Sequence, residues 1–478
     1  MPPRINDKQR EEIIRLLDEG LPREAIAKVV GVSPGQVSAV AAHLTMRTYT
    51  QDTPNVDQRS RPPTAGVTAE SVLSPSAGED ETVHRPMSRP GDATGDPATP
   101  LRVPLGTNTA NGDDVSWYPS PASKTLNPHL LVIGESGSGK TYTVQCICAE
   151  LVQENLPVVV FDYGQGFVTT AVTPEFREYA NPVELDVARD GVDINPLSIF
   201  PTDLYGPINV AQRIADTFSR VYPKIGVQQH SVLRDAILAV FEDSGIKAGQ
   251  EATWRNLAPR LSAVRDRLNA LADDRHNPSR RYAASVLNHI STFFVFNTFR
   301  GRGIKIDWNR LLESPGATFI FQLKGLESSL EKVVTELLLW NLIGYLESIG
   351  PAPLRCFIVL DEAHRLSFGE NSPVERLLRE GRKFGVGIIL ASQQPEDFSP
   401  VAYSNTATKL IFSLVDRTGD VARQIALRTP EQVSIAGLIK ALGTLPRGTG
   451  IFISNATSAV IRVFTMEERQ GNWKNRRT

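Results

Sequence analysis

Eight consecutive residues, Gly134-Glu135-Ser136-Gly137-Ser138-Gly139-Lys140-Thr141, have the pattern GxxxxGK[ST], and each fixed position answers a need of a bound phosphate. Glycines let backbone N–H groups turn inward around an anion with no Cβ in the way. A following helix directs the positive end of its dipole at the same anion. Lys140 is placed to reach the β- and γ-phosphates of a nucleotide, and the Thr141 hydroxyl to hold Mg²⁺. The flanks fit, because Leu130-Leu131-Val132-Ile133 reads as a buried strand and Tyr142 to Gln153 as a helix. The nucleotide-binding set is therefore Gly134, Glu135, Ser136, Gly137, Ser138, Gly139, Lys140, Thr141 and Tyr142.

A second apolar run, Cys356 to Leu360, ends in Asp361-Glu362-Ala363-His364. Beside a phosphate loop, Asp361 is expected to bind Mg²⁺, directly or through water. Glu362 is expected to orient and deprotonate the attacking water. A carboxylate that activates water suits repeated ATP hydrolysis rather than a kinase or a GTPase. Gly387 to Ala391 ends likewise in Ser392-Gln393-Gln394-Pro395. There the Gln393 amide can touch both γ-phosphate and water and report nucleotide state; the other reading is a polar turn before Pro395. His364 completes the letters DEAH, yet nothing else resembles the two-lobed helicases with that signature, and it serves equally as a packing residue.

A sheet must position these loops. Pro157 to Asp162 reads as a core strand with Asp162 at its carboxyl end, where open α/β sheets face their ligands. Ala317 to Leu323, Lys409 to Val415 and Gly450 to Ser454 read as further strands, Val115 to Trp117 as a short one, and Ala459 to Phe464 as a last edge. Helices alternate with them, including Leu330 to Glu347 and Pro373 to Lys383. The fold class is α/β, a mostly parallel sheet with helices on both faces. Ile208 to Val221, Ser231 to Phe241, Asn256 to Ala272 and Arg281 to Phe294 have helical spacing, which makes 201–300 an all-α insertion. The core is then 105–200 and 301–478.

Ahead of the core, residues 1–47 resemble a helix-turn-helix: Lys8 to Glu19, Arg23 to Val30, a turn at Gly31-Val32-Ser33, then Pro34 to Leu44. Ala27 is the small residue where helices cross, Val37 packs the second helix, and Gln36, Ser38, His43 and Arg47 form a weakly basic exposed face. A protein-docking module with the same turn is the other reading. Residues 51–104 hold no Phe, Trp or Tyr and nine prolines. They cannot bury enough apolar surface to offset chain entropy, so 48–104 reads as a disordered linker.

Composition narrows the class further. With 478 residues, 41% apolar and 22% charged, the chain is an ordinary soluble one of two or three domains. A net charge of −2 means that any nucleic-acid surface must be local. Cys146, Cys148 and Cys356 sit in apolar contexts, as small hydrophobes of a reducing cytosol. The amino terminus is charged from Arg4, and Val333 to Leu346 is too short to span a bilayer. A cytoplasmic protein without a membrane segment is expected.

The segments GESGSGKT at 134–141, VVVFDYG at 158–164, FIVLDEAH at 357–364, REGRKFGVGIILASQQP at 379–395 and NTATKLIFSL at 405–414 together resemble the HerA/FtsK superfamily of hexameric P-loop translocases, and HerA-type ATPases most. The resemblance covers about 101–464. It implies a RecA-like core, ATP and Mg²⁺, a homo-hexameric ring on double-stranded DNA, and a nuclease partner in DNA processing or antiviral defence. It carries over Lys140, Thr141, Asp361, Glu362 and Gln393, adds Asp162 as an accessory carboxylate, and places a trans-acting arginine finger in GRKFG. Two features depart from it: the usual amino-terminal β-barrel is replaced by the helical head, and the proline-histidine-glycine after Asp162 by Tyr163-Gly164-Gln165.

Offsets of three and four put Arg376, Arg379, Arg382 and Lys383 along one face of the expected helix. Arg382, which begins the family-like RKFG, is the first candidate finger and Arg379 the second. The other reading is a solvated stripe with Glu375 paired to Arg379. For the whole chain the alternatives are a nucleotide-controlled DNA-binding regulatory switch and a conjugation or packaging motor.

Overall fold

The computed structural model describes residues 7–18, 23–33, 36–37, 40, 101–119, 127–369, 371–426, 434–454 and 458–477. The chain divides into two units, 1–90 and 91–478. The expected linker lies, up to residue 100, outside the described residues.

In the first unit, the helices Asp7–Asp18 and Arg23–Val30 bury Ile13, Leu16, Ile26 and Ala27 in one cluster with Val37 and Val40. Gly31 has φ +70°, which lets the Val32 N–H reach Ala27 O at 3.0 Å. Ser33 and Gln36 cap the next turn reciprocally: Gln36 N–H donates to Ser33 Oγ at 3.3 Å and Ser33 N–H to Gln36 Oε1 at 2.8 Å. Ser38, His43 and Arg47 lie outside the described residues.

The second unit is built on one eleven-stranded sheet. In chain order the strands are β1 (Val103–Asn108), β2 (Asp114–Trp117), β3 (Leu130–Ile133), β4 (Val158–Asp162) and β5 (Pro182–Asp186). A separate ladder pairs β6 (Val192–Asp193) with β7 (Ile304–Lys305). Then come β8 (Thr318–Gln322), β9 (Cys356–Leu360), β10 (Val386–Ser392), β11 (Thr408–Ile411), β12 (Thr449–Ile453) and β13 (Ser458–Val463). The spatial order is β2-β1-β13-β12-β11-β3-β10-β9-β4-β8-β5. From β11 to β5 every pairing is parallel; from β11 to β2 every pairing is antiparallel. This is the RecA-like P-loop ATPase fold.

Strand alternation divides the core in two, because successive side chains point to opposite faces. Leu130, Val132, Val158 and Val160 pack on the helix Lys140–Gln153 through Val144, Ile147 and Leu151. Leu131, Ile133, Val159 and Phe161 pack on the other face with the long helix Ser328–Ile349 and the helical segment. That segment contains Pro207–Val221, Val227–Asp243, Leu261–Asp273 and Arg280–Phe296. The third helix starts later than its periodicity predicts, because Pro259 disfavours helical backbone at residue 258. The β6–β7 ladder pins the two ends of the segment together. A nearly buried ion pair, Arg220 with Glu336 at 2.7 Å, ties it to the long helix.

Three expectations are corrected. The strand at 459–464 is not an edge: β13 lies between β12 and β1. β1 starts at Val103, two residues before the expected start of the core at 105. The helix expected over Pro373–Lys383 stops at Glu380 and passes into a tighter turn, Gly381–Phe384. Gly381 has the lowest helix propensity at that point apart from proline, and Gly385, at φ +74°, closes the turn with its N–H on Arg382 O. The arginines therefore do not share a single helical face. Among the described residues, no helix is long and apolar enough to cross a membrane.

Candidate active site

The phosphate loop leaves β3, the strand between β10 and β11. Gly134, Gly137 and Gly139 have φ of +159°, +81° and +111°. The first is also sterically obligatory, since a Cβ there would lie 2.6 Å from Phe412 Cβ. The helix Lys140–Gln153 starts from Gly139 with no side-chain cap, so its first amides stay available to an anion. Lys140 is buried and its ammonium donates to Glu135 O at 3.0 Å. Burial lowers its pKa, while Glu362, Asp361 and Glu135 act to raise it.

The remaining predicted groups arrive from neighbouring strand ends. Asp361, at the end of β9, accepts from the Thr141 hydroxyl at 3.4 Å. Burial and then the charges of Glu362 and Asp162 push the Asp361 carboxyl up to about 7. Two further acids beside one buried carboxylate form a site short of positive charge. A hydroxyl and a carboxylate side by side supply the hard oxygen donors that Mg²⁺ takes. Among the described residues, no cluster of three or more His, Cys, Asp or Glu is placed to hold a metal alone. Glu362 has φ +57°, unusual for a residue with a side chain. Its carboxylate is held by Gln393 Nε2 at 3.2 Å and by His364 Nδ1 at 3.1 Å. Gln393 follows β10 and meets Glu362 across the β9–β10 pair.

Asp162 is fully buried at the end of β4 and is occupied by its own loop. Its Oδ1 accepts from Gly164 N–H at 3.0 Å and Gly166 N–H at 3.2 Å; its Oδ2 accepts from Phe167 N–H at 2.8 Å and Gln322 Nε2 at 2.6 Å. The loop so fixed lies against Thr141 and Asp361, for a Cβ on Gly166 would come within 2.8 Å of Thr141 Cγ2 and 3.7 Å of Asp361 Oδ2. Asp162 is thus a positioning residue for that loop.

The arginines lie elsewhere. Arg379 and Arg382 flank the start of β10, whereas Gln393 follows its end. A seven-residue strand separates the ends by roughly 20 Å. Arg379 faces Glu375 at 3.7 Å, and Arg376 pairs with Glu347. Arg382 is exposed, next to the buried ring of His129.

Sequence reasoning missed the braces on the phosphate loop. Gly448 N–H donates to Ser138 O at 3.1 Å, Glu135 N–H to Ser413 O at 2.8 Å, and Val415 N–H to the Glu135 carboxylate at 3.2 Å. Met466 N–H donates to the Tyr142 hydroxyl at 2.8 Å. The helix Met466–Arg477 adds Arg469, fully buried against Glu150 at 2.9 Å and the carbonyls of Pro104 and Leu105. Their partners lie hundreds of residues away, beyond the reach of local spacing.

A family described as Helicase HerA, central domain, matches residues 104–342, half of the sequence. This chain belongs to the HerA family. It is 22% identical over 364 residues to the DNA double-strand break repair helicase HerA of Sulfurisphaera tokodaii, covering 72% of this chain and 66% of that protein. The Sulfolobus acidocaldarius HerA is 24% identical over 352 residues, covering 69% and 63%. The chain thus spans about two thirds of the length of these HerA relatives. In fold it is similar to VirB4 of Thermoanaerobacter pseudethanolicus, with a TM-score of 0.57 at 17% identity over 76% of this chain and 96% of that one. The plasmid coupling protein TrwB, in complex with ADP and Mg²⁺, gives 0.50 at 14% identity over 70% and 85%.

Proposed function

We propose that the chain is an ATP-hydrolysing motor that works in the cytoplasm as a homo-hexameric ring translocating on double-stranded DNA. The observation that carries this reading is the convergence of Lys140, Thr141, Asp361, Glu362 and Gln393 at the carboxyl ends of β3, β9 and β10. Lys140 and the loop amides bind the phosphates. Thr141 and Asp361 are the residues that would hold Mg²⁺, which when bound neutralises charge between the β- and γ-phosphates. Glu362, fixed between Gln393 and His364, takes the proton of the attacking water, and Gln393 carries the change to the loop that follows. Arg382, or else Arg379, lies too far from its own site to serve it and completes a neighbour's; this supports a ring. A nuclease partner and a part in DNA processing or antiviral defence belong to the same reading, and the amino-terminal helical unit is its recruiting head.

The test is ATP turnover with and without linear duplex DNA. We expect turnover in both and stimulation by duplex. Nucleotide-dependent DNA binding with no turnover would favour a regulatory switch instead. Lys140→Ala should lose nucleotide binding.

A further inference from the structure

The helical segment carries a charge imbalance of its own. Residues 255–305 carry ten Arg or Lys and three Asp, a formal +7 in a chain whose total is −2. Part of this charge converges. The start of the helix Leu261–Asp273 and the end of the helix Arg280–Phe296 enclose a groove of about 500 Å³ whose polar lining includes Arg260, Ser262, Arg265, Asn297 and Arg300, whose remaining lining is largely apolar, and which has no carboxylate in its lining.

Each group has a definite state. Arg260 is exposed and has no hydrogen-bond or ion-pair partner among the described residues. It is also the cap of Leu261–Asp273, a helix without a side-chain cap, so the positive end of that helix opens beside it. Arg300 is half-buried, with Nε on Asp190 O at 2.9 Å and Nη2 on Arg189 O at 2.6 Å. These bonds fix its guanidinium without neutralising it. Arg265 stacks 5.8 Å from the Phe294 ring and forms an exposed ion pair with Asp266 at 3.0 Å. Like charges gathered in one groove repel in the absence of an anion. Fixed guanidinium forks match phosphate oxygens in pairs.

We propose that this groove, with Arg260 and Arg265 as its principal contacts, binds the phosphate backbone of duplex DNA. It lies on the helical segment and shares no lining residue with the nucleotide site. The inference rests on the DNA-motor reading and specifies where on the subunit duplex is held. Backbone contacts of this kind position a protein and carry no sequence information. A polyanion suits the site better than a small ligand, because exposed Arg302, without an ion-pair partner among the described residues, extends the positive surface past the groove.

The experiment compares the full chain with Arg260→Gln/Arg265→Gln and with Arg260→Lys, using a fluorescent 30-base-pair duplex over a salt series. We expect the double variant to bind at least fivefold more weakly. Two lost phosphate contacts should make the plot of log affinity against log salt shallower by about 2. Arg260→Lys should keep the slope, and all three proteins should share melting temperature and DNA-free ATP turnover. Wild-type affinity and slope in the double variant overturn the groove while leaving the motor intact. Failure of the wild type to bind duplex overturns the motor reading itself. Unchanged duplex binding with weakened binding of polyglutamate would assign the groove to an acidic protein segment and refute the proposal.

Discussion

The parallel strands carry two buried titratable groups at opposite ends, Asp361 after β9 and His129 before β3, and burial treats them alike. At the carboxyl end Asp361 is pushed up to about 7; at the amino end His129 is pushed down to about 4. Both shifts favour the neutral form, yet the surroundings differ. His129 Nδ1 accepts from Ile388 N–H at 3.0 Å, so the neutral ring is what the backbone requires. Asp361 faces Glu362 and Asp162, and its neutral form serves nothing in the protein. One end is satisfied by its own backbone; the other is where the proposed cation and nucleotide would bind. The comparison teaches that burial alone does not mark a functional group, and that uncompensated like charge beside it does.

The largest effect tests whether the amino end is functional after all. Arg382→Ala should bind ATP and lose roughly 10³-fold or more in turnover, the scale of a trans-acting arginine. Mixed with Glu362→Gln subunits, which lack the base but keep the arginine, it should recover activity above either variant alone. No recovery in mixtures shown to co-assemble would leave the amino end purely structural. At the other end, Glu362→Gln alone should retain nucleotide and lose about 10²–10⁴-fold in turnover, the usual contribution of a general base; near-wild-type turnover would remove Glu362 from the chemistry.

The smaller effects concern stability. His129 has a depressed folded pKa, so its contribution is present above pH 6.5 and is lost as pH falls through 6.5 toward 4. The loss should approach about 3 kcal/mol. Thermal melts should show this acid sensitivity blunted in His129→Gln, and an unchanged profile would refute the cause. Asp361 has the reverse sign. Its raised folded pKa makes the charged form a cost that is fully present above pH 7 and relieved as pH falls toward 4. Asp361→Asn should therefore melt higher than wild type at pH 8 without nucleotide, by roughly 2–4 °C per kcal/mol relieved, and the gain should fade by pH 4.5. A gain independent of pH would point to packing instead.

The difference between the two ends also separates what the sequence revealed from what it hid. Apolar runs ending in Asp361 and Gln393, and the glycine pattern before Lys140, are local signals and were legible. β5 was not, because it is a half-exposed edge with a proline and a glutamate and shows little apolar alternation. The pairing of β1 with β13 joins segments at opposite ends of the unit, and no local periodicity encodes it. The arginine stripe was misread because one continuous helix was assumed across Gly381. The role of Asp162 depends on amides of its own loop, whose inward turn residue types do not display.

The short ladder of β6 and β7 has a consequence for how this architecture changes over time. To the sheet, residues 194–303 amount to a single closed loop, since its ends are already joined. Closure entropy grows only with the logarithm of length, about 0.6 kcal/mol per doubling. Lengthening or trimming the outer helices should therefore cost the nucleotide site little, provided that the Arg220–Glu336 tie survives. Change is cheapest in this segment, and the strands that carry the nucleotide site can stay as they are.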